Sequence, residues 1–413
     1  MKRFLVCILS VFLLLCSCAD AEFYESSPGD SESGDGSADT ESAGKPQYMY
    51  VIMNADFQLA TVRGARETIC RVNLETGEAL PLCFEPTCDH GAPWCTATDI
   101  TYFVATDDGK KVYFWKANSG HGYLQQPGTG KAELILYEFD TATLALKEID
   151  RCEHSNHNYT LLAFDDGLVY NKYVVTETDE FGQTLSYTNT YYKVQPDGSK
   201  KTLKLPQELH VYERYAQVAY CGTVAGPSGY VLYDSEMNRI GEVTGEGEDR
   251  DQALARELDM PFRLFWDDTD KKVRYSYFKK ANGTYESCLL SEKTDNVAVL
   301  QDYILLQESG GDGYGTVTVA GSEYSRALFT VHCVDPYTGE IVRSVDMTDR
   351  FASFGVKNVT NFYPAPGKRD QMRIGNYQMF LVYGEDTLCG LPYVPLLFNA
   401  ETGDVKRIVI PEV

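Results

Sequence analysis

The chain has 413 residues, with 60 Asp and Glu against 37 Lys and Arg, a formal charge of −23. That balance argues against a nucleic acid partner, whose binding rests on Lys and Arg neutralising phosphates, and against electrostatic docking on anionic lipid headgroups. The negative excess reads as a solubility coat.

The first element is an N-terminal address. Met1-Lys2-Arg3 precedes residues 4–15, which are apolar except for Ser10. The run is shorter than the ~20 residues that cross a bilayer and fits the apolar part of an export signal. Leu15-Cys16-Ser17-Cys18 follows. It resembles the lipobox of bacterial lipoproteins: an apolar residue three positions before the cysteine, a small residue just before it, then the cysteine. The resemblance implies a signal peptide over residues 1–17, cleavage before Cys18 and a diacylglyceryl thioether on the Cys18 sulfur. It also implies an extracytoplasmic location, anchored in the membrane on the outer cell surface. Two acyl chains hold a domain firmly where one would be marginal. An ordinary secretory signal, with Cys16 and Cys18 incidental, is the alternative. Residues 19–46 contain eight Asp or Glu among Ser and Gly. With the lipidated cysteine, residues 18–46 are expected to form a flexible acidic stalk.

Residues 47–413 read as one all-β domain. The chain holds 29 Tyr and 19 Phe, residues that suit pleated, half-buried surfaces. Apolar positions alternate between Asp, Asn and Gly punctuation. The clearest helical candidate is short, residues 252–258. A turn motif then repeats along the chain: Asn73-Leu74-Glu75-Thr76-Gly77, Asp140-Thr141-Ala142-Thr143, Asp335-Pro336-Tyr337-Thr338-Gly339 and Asn399-Ala400-Glu401-Thr402-Gly403. Looser copies fall at 191–199, 230–237 and 285–294. Asp or Asn can bond the backbone that follows it, and Gly accepts positive φ, so these are tight hairpin turns. A second unit precedes several of them: Asp107-Asp108-Gly109-Lys110-Lys111-Val112, Asp268-Thr269-Asp270-Lys271-Lys272-Val273 and Asp165-Asp166-Gly167-Leu168-Val169. Two hairpins per period make four strands, the content of a propeller blade.

The pattern resembles the Asp-x-x-Thr-Gly turns of quinoprotein-like and surface-layer-type propeller repeats, and implies a single β-propeller. The tryptophan that quinoprotein repeats carry after the turn is missing, so no quinone cofactor is implied. Seven motifs suggest seven four-stranded blades, with six or eight also compatible; a pair of β-sandwich domains is the competing fold. The strands at 48–53 and 405–413 are expected to share one blade and close the ring.

The densest group of chemically able residues is Cys83, Cys88, His90 and Cys95, with Cys70 upstream. Three thiols and an imidazole could bind zinc tetrahedrally, but exported proteins favour disulfides, and a disulfide among Cys70, Cys83, Cys88 and Cys95 is the leading expectation. The Cys-x4-Cys-x-His element also resembles one in exported propeller lipoproteins of Gram-positive gut bacteria. No cofactor other than zinc is implied. Cys152, His154 and His157 form a looser group in a presumed inter-strand loop. Cys221, Cys288, Cys333 and Cys389 lie in or beside strand patterns and read as small buried hydrophobes. Gly310-Gly311-Asp312-Gly313 reads as a flexible hairpin. Asp107, Asp165 and Asp267 could pair as acid and base, yet turn chemistry alone accounts for them. No catalytic residue stands out. The reading is a lipid-anchored, monomeric propeller that acts as a binding scaffold for a protein, peptide or glycan. A hydrolase or lyase acting on polysaccharide is one alternative, and a sensor or assembly lipoprotein partnering a membrane protein is another.

Overall fold

The computed structural model describes residues 48–54, 67–83, 85, 88, 95–118, 133–153, 160–179, 184–206, 211, 213–222, 229–244, 249–267, 274–291, 294–319, 322–348, 350–364, 373–387 and 393–409. Seven antiparallel sheets follow one another through Lys45–Val413 and close into a seven-bladed β-propeller. Blade 1 holds Tyr48–Asn54, Glu67–Asn73 and Ala79–Pro81. Blade 2 holds Ile100–Ala105, Lys111–Asn118, Glu133–Asp140 and Leu146–Glu153. Blade 3 holds Leu161–Phe164, Gly167–Thr178, Thr184–Val194 and Lys200–Leu203. Blade 4 holds Glu213–Tyr215, Val218–Gly222, Gly229–Tyr233 and Arg239–Thr244. Blade 5 holds Phe262–Asp267, Arg274–Ala281 and Thr284–Ser291. Blade 6 holds Thr294–Val299, Ile304–Val319, Ser322–Val334 and Ile341–Asp346. Blade 7 holds Val356–Pro364, Tyr377–Thr387, Val394–Asn399 and Val405–Arg407, with the short strand Arg373–Ile374 beside Tyr377–Thr387.

The repeated turn is the same object wherever its motif is complete. Asn73, Asp335 and Asn399 each use Oδ1 to accept the N–H of the residue two positions on, at 2.8, 2.7 and 2.9 Å. Each also accepts on its carbonyl the N–H of Gly77, Gly339 or Gly403, at 2.8 Å every time. Those glycines have φ of +80°, +79° and +77°, a region that L side chains rarely enter. The turns also show how the ring closes. A Cβ on Gly403 of blade 7 would stand 2.8 Å from Arg343 Cδ of blade 6, and one on Gly77 of blade 1 would stand 2.8 Å from the Arg407 carbonyl oxygen of blade 7. Each turn thus abuts the preceding blade, and for blade 1 the preceding blade is the last.

Strand parity distributes the core. Met49 and Val51 pack with Cys70, Val72, Met379 and Leu381, between blades 1 and 7. Tyr50 and Ile69 pack with Phe103, Val112, Phe114 and Phe139, between blades 1 and 2. Successive side chains point to opposite faces of a sheet, so each blade buries one alternate set against each neighbour. The seam between blades 6 and 7 stacks Phe362 on Phe380 with ring centroids 4.7 Å apart.

Four expectations are corrected. Blades 1 and 5 show three described strands rather than four. In blade 1 the turn after Asn73 joins the last two strands, as the equivalent turn does in blades 6 and 7, so an innermost strand has no counterpart among the described residues. Before blade 5 the chain forms the helix Arg250–Glu257 instead, N-capped by Asp249, whose side chain accepts the Asp251 N–H at 2.7 Å. The turn expected near residue 292 lies instead at Asn282-Gly283, both with positive φ, a two-residue hairpin link. Among the described residues the terminal strands pair in different sheets: Val405–Arg407 pairs in blade 7, while Val409 makes a parallel bridge to Glu78 of blade 1. Residues 310–313 are an irregularity inside a long strand rather than a hairpin tip, since pairing skips from Ser309↔Phe329 to Tyr314↔Ala327. Side-chain-free glycine tolerates that distortion.

Candidate functional site

In a four-stranded antiparallel blade, the links between strands 1 and 2 and between strands 3 and 4 share one face. The 2–3 link and the crossover to the next blade share the other. The first face carries tight turns such as Asn73–Gly77 and Asp335–Gly339, and the longer link from Pro364 to Tyr377 in blade 7. The crossover face receives the 2–3 links and the passages between blades. Two hairpins also extend past their blades toward this face. In blade 3 the first strand pairs only with Gly167–Tyr170 and the fourth only with Tyr191–Val194, so residues 171–178 and 184–190 run on beyond both. In blade 6 the first strand reaches only Glu308 and the fourth only Thr330, so 309–319 and 322–328 do the same.

The crossover from Pro81 of blade 1 to Ile100 of blade 2 holds the cysteine group. The Sγ atoms of Cys83, Cys88 and Cys95 all lie within 4.8 Å of one another. Cys95 is buried and the other two are half-buried. The segment is held at both ends. The Leu82 N–H donates to the Ile69 carbonyl at 3.0 Å and the Ile69 N–H to the Ala97 carbonyl at 2.9 Å. The Thr98 hydroxyl donates to the Cys95 carbonyl at 3.0 Å, and the buried Lys116 ammonium to the Thr98 carbonyl at 2.8 Å. Within the crossover the Cys88 N–H donates to the Glu85 carbonyl at 3.0 Å.

These environments pull the thiols apart. Burial works against the Cys83 thiolate, but the Glu85 N–H, the Cys88 and Cys95 thiols and the Thr96 hydroxyl donate to it, and it ionises below the ordinary thiol value. Burial pushes Cys95 up. Cys70 does not join the group: it faces the blade 7 side among Val51, Val72 and Met379, and burial lifts its thiol to about 12. Among the described residues no disulfide bond joins Cys70, Cys83, Cys88 and Cys95. His90, Cys18, His154, His157 and Cys389 lie outside the described residues. Cys221 and Cys333 are buried in inter-blade seams, with thiols raised by burial to about 11 each, and Cys152 sits half-buried on a blade 2 strand.

No family model matches the chain, and no curated protein matches it. Among solved structures it is similar to a protein proposed to be a 6-phosphogluconolactonase from Bacteroides uniformis ATCC 8492, at 13% identity and TM-score 0.40, covering 88% of this chain and 95% of that one. It is also similar to prolyl oligopeptidase B from Galerina marginata, at 10% identity and TM-score 0.45, covering 90% of this chain and 52% of that one. TolB from Acinetobacter baumannii matches at 13% identity and TM-score 0.29, covering 87% and 65%.

Two of the carboxylates considered as acid and base belong to segments that make contacts between blades. Asp107 takes a two-pronged ion pair from Arg214, at 2.9 and 2.5 Å, linking blade 2 to blade 4. The Asp165 N–H donates to Gln217 Oε1 at 3.3 Å, and Asp267 ends a strand of blade 5. The strongly placed polar groups are ones the sequence reading missed, and they tie blades together. The Lys193 ammonium donates to Asp166 at 2.7 Å and to Glu236 at 2.5 Å, joining blade 3 to the tight turn of blade 4. Its bonds, followed by those of Lys201 and Gln195, hold the Glu236 carboxyl down at about 2. Arg263 of blade 5 donates to Asp251 at 2.6 Å and to the Tyr220 and Tyr230 hydroxyls of blade 4 at 3.2 Å each. Asp150 of blade 2 receives Tyr170 and, at 2.8 Å, Lys172 from blade 3. Burial opposes its charge, yet these donors hold the carboxyl below its usual range. A lone basic residue within an apolar strand, as in Phe262-Arg263-Leu264-Phe265, was the available signal.

Proposed function

We propose that the protein is a binding scaffold tethered outside the cytoplasm, whose crossover face engages a protein, peptide or glycan. The observation that carries this reading is the asymmetry of the two faces. Tight turns recur on one, while the blade 3 and blade 6 hairpins extend past their sheets toward the other. Loops displayed on a rigid β framework are the usual place for recognition. The polar struts support the same reading, because the described carboxylates with depressed pKa that bridge blades are held by Lys and Tyr donors rather than left to act on a substrate.

Tethering rests on the lipobox at Leu15–Cys18 and on the acidic stretch that follows it. Among the described residues no helix is long and apolar enough to cross a membrane, so anchoring would fall to lipid on Cys18. Labelling cells with radioactive palmitate tests this: the wild type should incorporate label, and Cys18→Ser should not. Label retained by the variant would refute the anchor. For binding, the purified protein is sedimented with cell-wall polysaccharide and with membranes, beside a variant in which 310–328 is replaced by a two-residue turn. Wild-type binding that weakens at least tenfold on trimming supports the scaffold. Depolymerisation of the polysaccharide by the wild type would instead establish the enzyme alternative.

A further inference from the structure

We propose that Cys83, Cys88 and Cys95 form a three-thiolate site for a zinc ion, which staples the crossover between blades 1 and 2. The inference does not depend on what the crossover face binds.

Geometry carries it. Zinc–thiolate bonds are about 2.3 Å long, so two sulfurs on a tetrahedral ion stand about 3.8 Å apart. The three Sγ atoms already lie within 4.8 Å of one another, and a small inward rotation of side chains closes the difference. Both ends of the segment are fixed on one strand of blade 1. Leu82, one residue before Cys83, bonds Ile69; Ala97, two residues after Cys95, bonds Ile69 as well. Backbone donors support the sulfurs. The Glu85 N–H faces the Cys83 sulfur and the Ala97 N–H faces the Cys95 sulfur, each two residues on. Such bonds stabilise thiolates and orient metal ligands. The packed wall of Leu82, Ala97, Ile100 and Phe103 limits water on one side.

Stoichiometry favours a cation over a disulfide. A disulfide consumes two thiols and leaves the third beside it as a nucleophile, a setting for continual exchange. One dication uses all three: three thiols release three protons, three Zn–S bonds form, and the complex carries one net negative charge. Soft thiolate donors select zinc over magnesium or calcium. The site also answers a structural need. A connection from Pro81 to Ile100 is long for a link inside a closed ring, and such links are uncommon without a function or a tie of their own.

The test uses the purified full chain, reduced, stripped with a chelator, reconstituted with zinc and dialysed, with metal measured by mass spectrometry. About one zinc per chain is expected in the wild type and in Cys152→Ser, with a loss of at least ~10-fold in Cys88→Ser and Cys95→Ser. Circular dichroism confirms that the variants fold. Cobalt titration of the wild type gives a second reading that needs no variant: a thiolate-to-cobalt charge-transfer band should saturate at about one equivalent. A wild type that retains no zinc and shows no cobalt band would overturn the proposal. So would a non-reducing digest of protein from its host that finds two of these cysteines joined.

Discussion

Replacing Lys193 by Met keeps an unbranched apolar stem and removes only the ammonium. In the folded chain that side chain is fully shielded, and its Nζ serves Asp166 at 2.7 Å and Glu236 at 2.5 Å. Hydrogen bonds to charged groups contribute about 1.5–3 kcal/mol each. The two carboxylates remain 46% and 34% exposed, so water can re-solvate them, and Glu236 keeps Lys201 at 2.8 Å. Discounted on that ground, the loss comes to ~2–3 kcal/mol. A domain of this length loses roughly 1–2 °C of midpoint per kcal/mol, so the thermal transition should fall by ~2–6 °C. The loss should also depend on pH in a fixed direction. The Glu236 carboxyl is depressed from 4.5 to about 2 in the folded chain. Its stabilisation is therefore complete above pH 4.5 and fades as pH falls toward 2. Wild type and Lys193→Met should differ most at neutral pH and converge in acid. Near-UV circular dichroism during thermal unfolding at pH 7 and pH 3.5 measures both quantities. A variant within ~0.5 kcal/mol of wild type at pH 7, or a difference unchanged at pH 3.5, would refute the strut between blades 3 and 4.

Three further outcomes are expected. Gly403→Ala should cost more than Gly109→Ala: both positions have positive φ, about 1–2 kcal/mol of strain, but only at Gly403 does the new Cβ meet another blade, 2.8 Å from Arg343 Cδ; urea midpoints of the two variants give the ranking. Arg263→Met should destabilise by ~3–5 kcal/mol, because Asp251 loses its buried partner, and Arg263→Lys should not restore it, since one ammonium cannot reach the Asp251 carboxyl and both tyrosine hydroxyls; denaturant unfolding of the three proteins measures both effects. Asp335→Ala should cost about 1 kcal/mol by losing the bonds from the Tyr337 and Thr338 N–H groups, while Asp335→Asn keeps Oδ1 and should unfold close to wild type in the same assay.

What the sequence made legible was the chemistry that acts within a few residues. The turns at Asn73, Asp335 and Asn399 can be read because acceptor, bonded N–H and left-handed glycine lie within five positions, and these turns together with the looser copies pointed to seven blades. The same rule explains the miss near residue 292. Blade 5 makes its turn with Asn282-Gly283, a different local solution, and the looser motif nearby falls instead at the passage to blade 6. What depends on partners distant in sequence could not be read. Lys193 finds Glu236, Arg263 finds Tyr220, and Glu78 meets Val409, and only the closed ring brings each pair together. The cysteine group lies between these cases. Its spacing announced a cluster, and spacing alone kept Cys70 in contention. Strand parity removes it: Ile69 faces blade 2 and the three thiols, so Cys70, one residue on, must face blade 7. That parity is written in the alternation of Ile69, Cys70, Arg71 and Val72, but it becomes decisive only once two different neighbours occupy the two sides of the sheet. A propeller supplies such neighbours on both sides of every blade, so in this fold alternation decides which blade-to-blade seam a functional side chain belongs to.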